Sequence, residues 1–305
     1  MAALPPDRLA QPGATLATAI PPPLPALVGA RRLRSQRLGR ALRLWVPAGV
    51  LVLVLAMCFV LPLVVALSSP TKGDIIYNNE PPFSPGHWLG TDVQGVDIFS
   101  QLVYGGQVAF EIGVSVTLIG IAVGGSIGVA AAYFGGWVDA VLSRVLDILI
   151  AFPALVLALV IAEGLGPSEF HVILALSVFG IPAVGRVTRG ATLTIRGLPY
   201  MTAARLSGTR SWRVIARHIM PNIMPAIVTF SLLGIGVTII LEGALDYLGY
   251  GIPAPEASWG NMIANGQQVL TAQPEYVLIP SIVLLITVAA LNMLGDALRE
   301  RWGAQ

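Results

Sequence analysis

Cysteine and lysine are almost absent from this chain: Cys58 and Lys72 are the single examples, and histidine occurs three times, at His87, His171 and His218. One cysteine excludes an intramolecular disulfide and a cysteine metal cluster. The histidines are far apart and fall on two sides of the arrangement derived below, so no metal site is expected. Lys72 lies in Pro70-Thr-Lys-Gly-Asp74, which is not the glycine-rich loop whose lysine holds nucleotide phosphates. No Ser/His/Asp arrangement points to hydrolysis. No catalytic residue and no cofactor are therefore expected in this chain. Charge is scarce as well, at 11% of residues against 55% hydrophobic, with a mean hydropathy of +0.77. That balance excludes a soluble domain of this length.

What the chain has instead is long apolar runs. A bilayer core takes roughly 20 apolar residues as helix, and six stretches qualify: 45–67, 106–133, 144–165, 170–188, 222–247 and 276–296. They are too long and too uniformly apolar for barrel strands, which alternate. The expected fold is therefore an all-α integral membrane protein with six transmembrane helices. Between them lie an external loop at 68–105, a polar cytoplasmic loop at 189–221 and a second external loop at 248–275, with a short tail at 303–305.

The bases segregate as alternating spans require. Of 18 Lys and Arg, seven precede the first span, from Arg8 to Arg43, and seven more are Arg186, Arg189, Arg196, Arg205, Arg210, Arg213 and Arg217. Arg144, Arg299 and Arg301 fall on that same side, and only Lys72 falls opposite. The positive-inside rule then puts both termini in the cytoplasm of a multi-pass plasma-membrane protein. Asp74, Glu80, Asp92, Asp97, Glu163, Glu169, Glu256 and Glu275 are assigned outside. The net charge of +2 gives no reason to expect nucleic acid. Residues 1–44 are proline-rich, then basic; a tract without a packed core is expected up to about residue 30. It has no signal-peptide layout. Its basic cluster is a topology signal that also suits anionic membrane lipid.

The segment Arg186–Pro221 carries the run from Tyr200 to Asn222. Ala203 and Ala204 are small enough for a short helix to seat in a partner's groove. Gly208 permits a positive-φ turn after it, and Pro221 is placed to stop one helix and start another. Arg205, Arg210, Arg213 and Arg217 offer charge to an acidic rim. Elsewhere Glu242 and Asp246, four apart in the fifth span, share a face, and with Glu111 they are candidates for an acidic vestibule on the translocation path. Arg144 and Asp147 read as a structural pair. Gly120, Gly124 and Gly128 read as a helix-packing stripe, and Gly234 and Gly236 as a bend or a tight crossing.

Seven pieces keep a common order: His87-Trp-Leu-Gly-Thr-Asp92, Leu102-Val-Tyr-Gly105, Tyr133-Phe-Gly-Gly-Trp-Val-Asp139, Asp147-Ile-Leu-Ile-Ala-Phe-Pro153, Arg217-His-Ile-Met-Pro-Asn222, Ser258-Trp-Gly-Asn-Met262 and Leu294-Gly-Asp-Ala-Leu-Arg299. With the run at 199–221 they resemble the C-type (DppC/OppC-like) permease of bacterial ABC-type dipeptide, oligopeptide and nickel importers, from about residue 84 to 302. That resemblance implies the type I importer permease fold over 106–302. It also implies an EAA-type coupling loop that docks on an ATPase, here comprising Met201, Thr202, Ala203, Ala204, Arg205, Gly208, Arg213, Arg217, His218 and Pro221.

The implied partners are a second, B-type permease, one or two ABC ATPase subunits that bind the ATP and Mg, and an extracytoplasmic peptide-binding protein. Short peptides are the implied cargo; nickel chelates, glutathione or another peptide-like solute are the alternatives within the class, and a secondary carrier or a channel is the remote one. The chain departs from the pattern at Thr202, where Glu is usual, and at Pro199, where an acid is usual, so the docking helix is expected to start later. Gly95-Val-Asp97 and Gln107 replace external arginines, and Asp246 replaces a small hydroxyl residue.

Overall fold

The computed structural model describes residues 26–253 and 255–303, with side chains from Ala41 onward. The chain divides into two units, Met1–Arg40 and Ala41–Gln305. The tract expected to lack structure up to about residue 30 lies mostly outside the described residues, but from Ala26 the chain is already helical. Helix α1, Ala26–Leu55, continues through a π turn at Ala56–Val60 into Leu61–Val64. There follow α2 (Ile98–Phe134), α3 (Gly136–Ile150), α4 (Ala154–Leu165), α5 (Glu169–Arg196), α6 (Pro199–Leu206), α7 (Ser211–Tyr247), α8 (Trp259–Gly266) and α9 (Glu275–Gly303). Among the described residues there is no strand.

Five helices are long and apolar enough to cross a membrane, the first over Ala41–Val64. The expected third span, 144–165, is not one straight helix: α3 and α4 meet at 81° and make a sixth span only if counted together. Pro153 is the cause. It lacks the N–H that would continue α3 and disfavours helical backbone at Phe152, so α4 starts afresh behind it.

Lipid offers no hydrophobic gain for bringing helices together, so contact depends on close packing of small residues. The α2 glycines do this against α5. A Cβ on Gly120 would sit 3.1 Å from the Val184 side chain, while one on Gly124 would strike the Ile181 carbonyl oxygen and one on Gly128 that of Gly185. From the other side, a Cβ on Gly185 would meet Leu146 at 2.8 Å. Helix α7 packs on α2, α5 and α9. It stays one helix through Gly234 and Gly236, and Gly236 marks its crossing with Val288 and Leu291 of α9.

At the π turn of α1 the regular bonding pattern is interrupted. The Gln107 side-chain amide donates to the Cys58 carbonyl at 2.6 Å, so the residue found in place of arginine ties α1 to α2.

The sequence pieces at the acidic end are joints. Asp92, 5% exposed, accepts from the Gln94 and Val96 amides at 2.8 Å, from the Gln101 side chain at 2.7 Å and from the Tyr276 hydroxyl at 3.4 Å. It therefore fastens the loop before α2 to both α2 and α9. Asp97 caps α2 through the Ser100 amide and pairs with His87 at 2.9 Å. Trp259, fully buried, donates its indole N–H to the Leu102 carbonyl at 2.9 Å, and Ser258 caps α8.

Gly124→Val should destabilise the purified protein by about 1–3 kcal/mol through overpacking against a backbone atom that cannot move aside. Gly190, with nothing within 4 Å of a built Cβ, is the control, and Gly190→Ala should leave thermal unfolding in detergent unchanged or raise its midpoint.

Candidate functional site

The segment expected as a polar loop, 189–221, is mostly helix; only 197–198 and 207–210 are not. Leu198 is extended, as a residue before proline prefers, and Pro199 takes the first helical position of α6. The expectation of a later start is thereby corrected: Pro199 opens the helix, because its missing N–H is one that no helix start can satisfy internally.

At the other end Gly208 has φ +71°. Its amide bonds the Arg205 carbonyl at 3.0 Å and the Thr209 amide bonds that of Ala204 at 3.3 Å, the paired pattern of a Schellman stop. Helix α7 then opens at Ser211 rather than at residue 222. Pro221 does not stop a helix. It follows a π turn at Ile215–Ile219 in one continuous span, and the Asn222 side chain donates to the His218 carbonyl at 2.6 Å.

Side chains of this segment divide into anchors and an outer surface. Met201 is fully buried in a cluster with Val129 and Tyr133 of α2 and Val214, Ile219, Ile223 and Ile227 of α7, which stabilises its seating by about 1.5–3 kcal/mol. Ala204 packs on the same cluster. Arg205 lies over the Tyr133 ring at 4.9 Å, a cation–π contact, and His218, half-buried, lies beside Tyr200.

Outward face Thr202, Ala203, Gly208, Arg213, Arg217 and Pro221. With them are two large apolar side chains that sequence reasoning passed over, Leu206 at 84% and Trp212 at 61% exposed. Their signal was available: a leucine and a tryptophan in an otherwise polar stretch, on either side of the Gly208 turn.

The arginines of α5 are tied to neighbouring helices. Arg189 holds Asp139 through both carboxylate oxygens, at 2.6 and 2.7 Å, the geometry that makes such pairs strong and directional. Arg186 holds Asp147 at 2.7 Å, so the expected Arg144–Asp147 pair is replaced by one across helices. Arg196 donates to the Ala132 carbonyl at the end of α2 at 2.5 Å. These contacts brace α3 and α2 against α5.

The three candidate path acids do not make a vestibule. Glu242 and Asp246 are 0% and 1% exposed. Asp246 accepts the Ile252 amide at 2.7 Å, and its side chain lies against Gly251 and Gly260, so it locks the turn after α7 onto α8. Both Glu242 oxygens and one of Asp246 have no hydrogen-bond partner among the described residues. Glu111 is exposed on α2, and Glu169 lies within electrostatic range of it and of Glu256.

Fold and site together define a multi-pass membrane transport subunit. The family model for binding-protein-dependent transport system inner membrane components matches residues 120–302, and the chain belongs to that family. It is 36% identical over 256 residues to the glutathione transport system permease protein GsiD of Pectobacterium atrosepticum, covering 84% of this chain and 85% of that one. It is 36% identical to the dipeptide transport system permease protein DppC of Alkalihalophilus pseudofirmus over 71% of each chain. The probable D,D-dipeptide transport system permease protein DdpC of Escherichia coli is 35% identical over 83% of this chain and 84% of its own. Among solved structures, a chain of the MetNI methionine ABC transporter in an inward-facing form matches with a TM-score of 0.55 at 16% identity. That match covers 67% of this chain and 96% of the other, and it supports the importer-permease fold.

Met201→Ala should cost about 2–5 kcal/mol, as for other buried large-to-small changes, whereas Leu206→Ala should stay within about 0.5 kcal/mol. Chemical unfolding of the two variants in detergent, side by side, checks the division into anchor and outer surface.

Proposed function

We propose that this chain is a non-catalytic permease subunit of an ATP-driven importer for short peptides, and that α6 with the first turns of α7 is where it meets an ATPase. The observation that carries this reading is the exposed set Leu206, Trp212, Arg213 and Arg217 around the Gly208 turn, mounted on a buried Met201 anchor. Apolar groups ringed by arginine are what a docking helix offers to a cleft with an acidic rim.

A push on α6 has a stiff path inward. Met201 bears on α2 and α7, and Arg196 joins α2 to α5. ATP-driven closure of the partner would thus bias the membrane helices between two arrangements, as coupling between sites requires. The arginine-rich end, with both termini, lies in the cytoplasm of a bacterial cell; the loops at 68–97 and 248–275 lie outside and receive a peptide-binding protein. ATP and Mg are held by the ATPase subunits, and a second, B-type permease supplies the other half of the pathway. The named relatives carry dipeptides, D,D-dipeptides or glutathione, all built on peptide bonds, which supports short peptides as cargo with glutathione as the alternative.

The test is copurification from native membranes with mass spectrometry of the tagged chain. Wild type should bring down ATPases, a second permease and a binding protein. Leu206→Asp and Gly208→Arg should lose the ATPases at least tenfold while keeping the permease partner. A chain that purifies alone, or ATPases retained at wild-type level in both variants, would reject the reading.

A further inference from the structure

Helix α3 has two unlike faces. Trp137, Val141, Val145 and Ile148 recur at helical spacing and form one exposed apolar stripe. Asp139 and Leu146 instead meet α5, at Arg189 and at Gly185. Between the two helices, beside the pairs Asp139–Arg189 and Asp147–Arg186, lies a cavity of about 430 Å³ lined by Ser143, Leu146, Asp147, Arg186, Arg189 and Gly190. That volume falls within the range of ordinary ligand pockets. A Cβ built on Gly190 would have no atom within 4 Å, so this wall of the cavity is bare backbone.

The ion pairs leave bonding capacity unspent. Arg186 gives one N–H to Asp147 and Arg189 gives two to Asp139, of the five that each guanidinium carries. The lining sets two arginines against one carboxylate. Arg144, exposed, stands one turn before Asp147, between the cavity and the apolar stripe. The local surplus is therefore positive, and the planar guanidinium fork matches phosphate oxygens. Asp147 accepts Arg186 through Oδ1, which leaves its second oxygen to take a hydroxyl donor.

A phosphate carrying hydroxyls, held beside an apolar stripe, is the headgroup of a phospholipid. Trp137, exposed in the first turn of α3, is the kind of side chain that sits at headgroup level, and basic pockets between membrane helices suit anionic lipid heads. We infer that the α3/α5 groove binds one anionic phospholipid of the phosphatidylglycerol class. Its phosphate lies on Arg186 and Arg189, a glycerol hydroxyl lies on Asp147, and its acyl chains follow Val141, Val145 and Ile148. The lipid thus adds a tie between α3 and α5 to the two ion pairs that already join them. The site depends only on the chain lying in a membrane, whatever cargo crosses it.

Native mass spectrometry tests this on the full chain, purified in a nonionic detergent with whatever subunits accompany it, and titrated with dioleoyl phosphatidylglycerol or dioleoyl phosphatidylcholine. The first phosphatidylglycerol should bind roughly tenfold more tightly than the first phosphatidylcholine. Gly190→Leu, which fills the cavity and leaves every charge in place, should weaken the first phosphatidylglycerol by about fivefold or more and leave phosphatidylcholine unchanged. Arg186→Gln combined with Asp147→Asn, which removes both partners of one pair, should do the same. Glycerol 3-phosphate should not displace the bound lipid.

Wild-type affinity for phosphatidylglycerol in both variants, or equal affinity of the wild type for the two lipids, would overturn the site. Displacement by glycerol 3-phosphate would make the ligand a soluble phosphate and overturn the lipid. Variants that lose an accompanying subunit while keeping their affinity for phosphatidylglycerol would give the groove to a protein partner instead. Thermal unfolding without added lipid, expected at the wild-type midpoint for both variants, separates loss of the site from loss of the fold.

Discussion

The backbone-to-backbone approach of α2 and α5 is the contact on which the other helices depend. Gly124 and Gly128 face the Ile181 and Gly185 carbonyls with no room for a Cβ, and in lipid only such close approach gives packing enough to hold helices together. Helix α7 rests on the pair so formed, α9 rests on α7, and α3 hangs from α5 by Arg189 and Arg186. A charge inside a membrane protein is costly unless paired. Here the arginine pairs of α5 sit at the arginine-rich end, where Arg186 and Arg189 meet two carboxylates of α3 and Arg196 takes a carbonyl at the end of α2.

The same arrangement explains why a short helix can matter to the whole bundle. Met201 enters a cluster shared by the ends of α2 and the start of α7, so α6 cannot shift without moving elements that reach the other side of the membrane. At the acidic end, Asp92 and Asp246 each gather loop amides onto helix ends. The loops there are held to the bundle and are positioned by it.

Much of the fold was legible locally. Apolar runs marked the spans, Pro153 stood in the middle of an expected one and broke it, and the four-residue glycine spacing announced a packing face. The polar segment 189–221 stood out in the sequence, but its helical shape did not. Pro199 read as delaying the helix, because it stands where an acid is usual; at a helix start its missing donor has no use. Leu206 and Trp212 were overlooked since hydropathy averages hid two side chains in a polar stretch.

By itself the sequence determined the membrane class, the apolar runs that become long helices and the gathering of arginine at one end, because hydropathy and charge act over windows of neighbouring residues. Only the tertiary structure decided that Met201 is an anchor and Leu206 a surface, that Asp147 answers Arg186 instead of Arg144, and that Glu242 and Asp246 are sealed inside. Each of these depends on a partner from another helix or loop. Burial and pairing are properties of the packed bundle, and residues far apart in the chain carry no local mark of which neighbour they will meet.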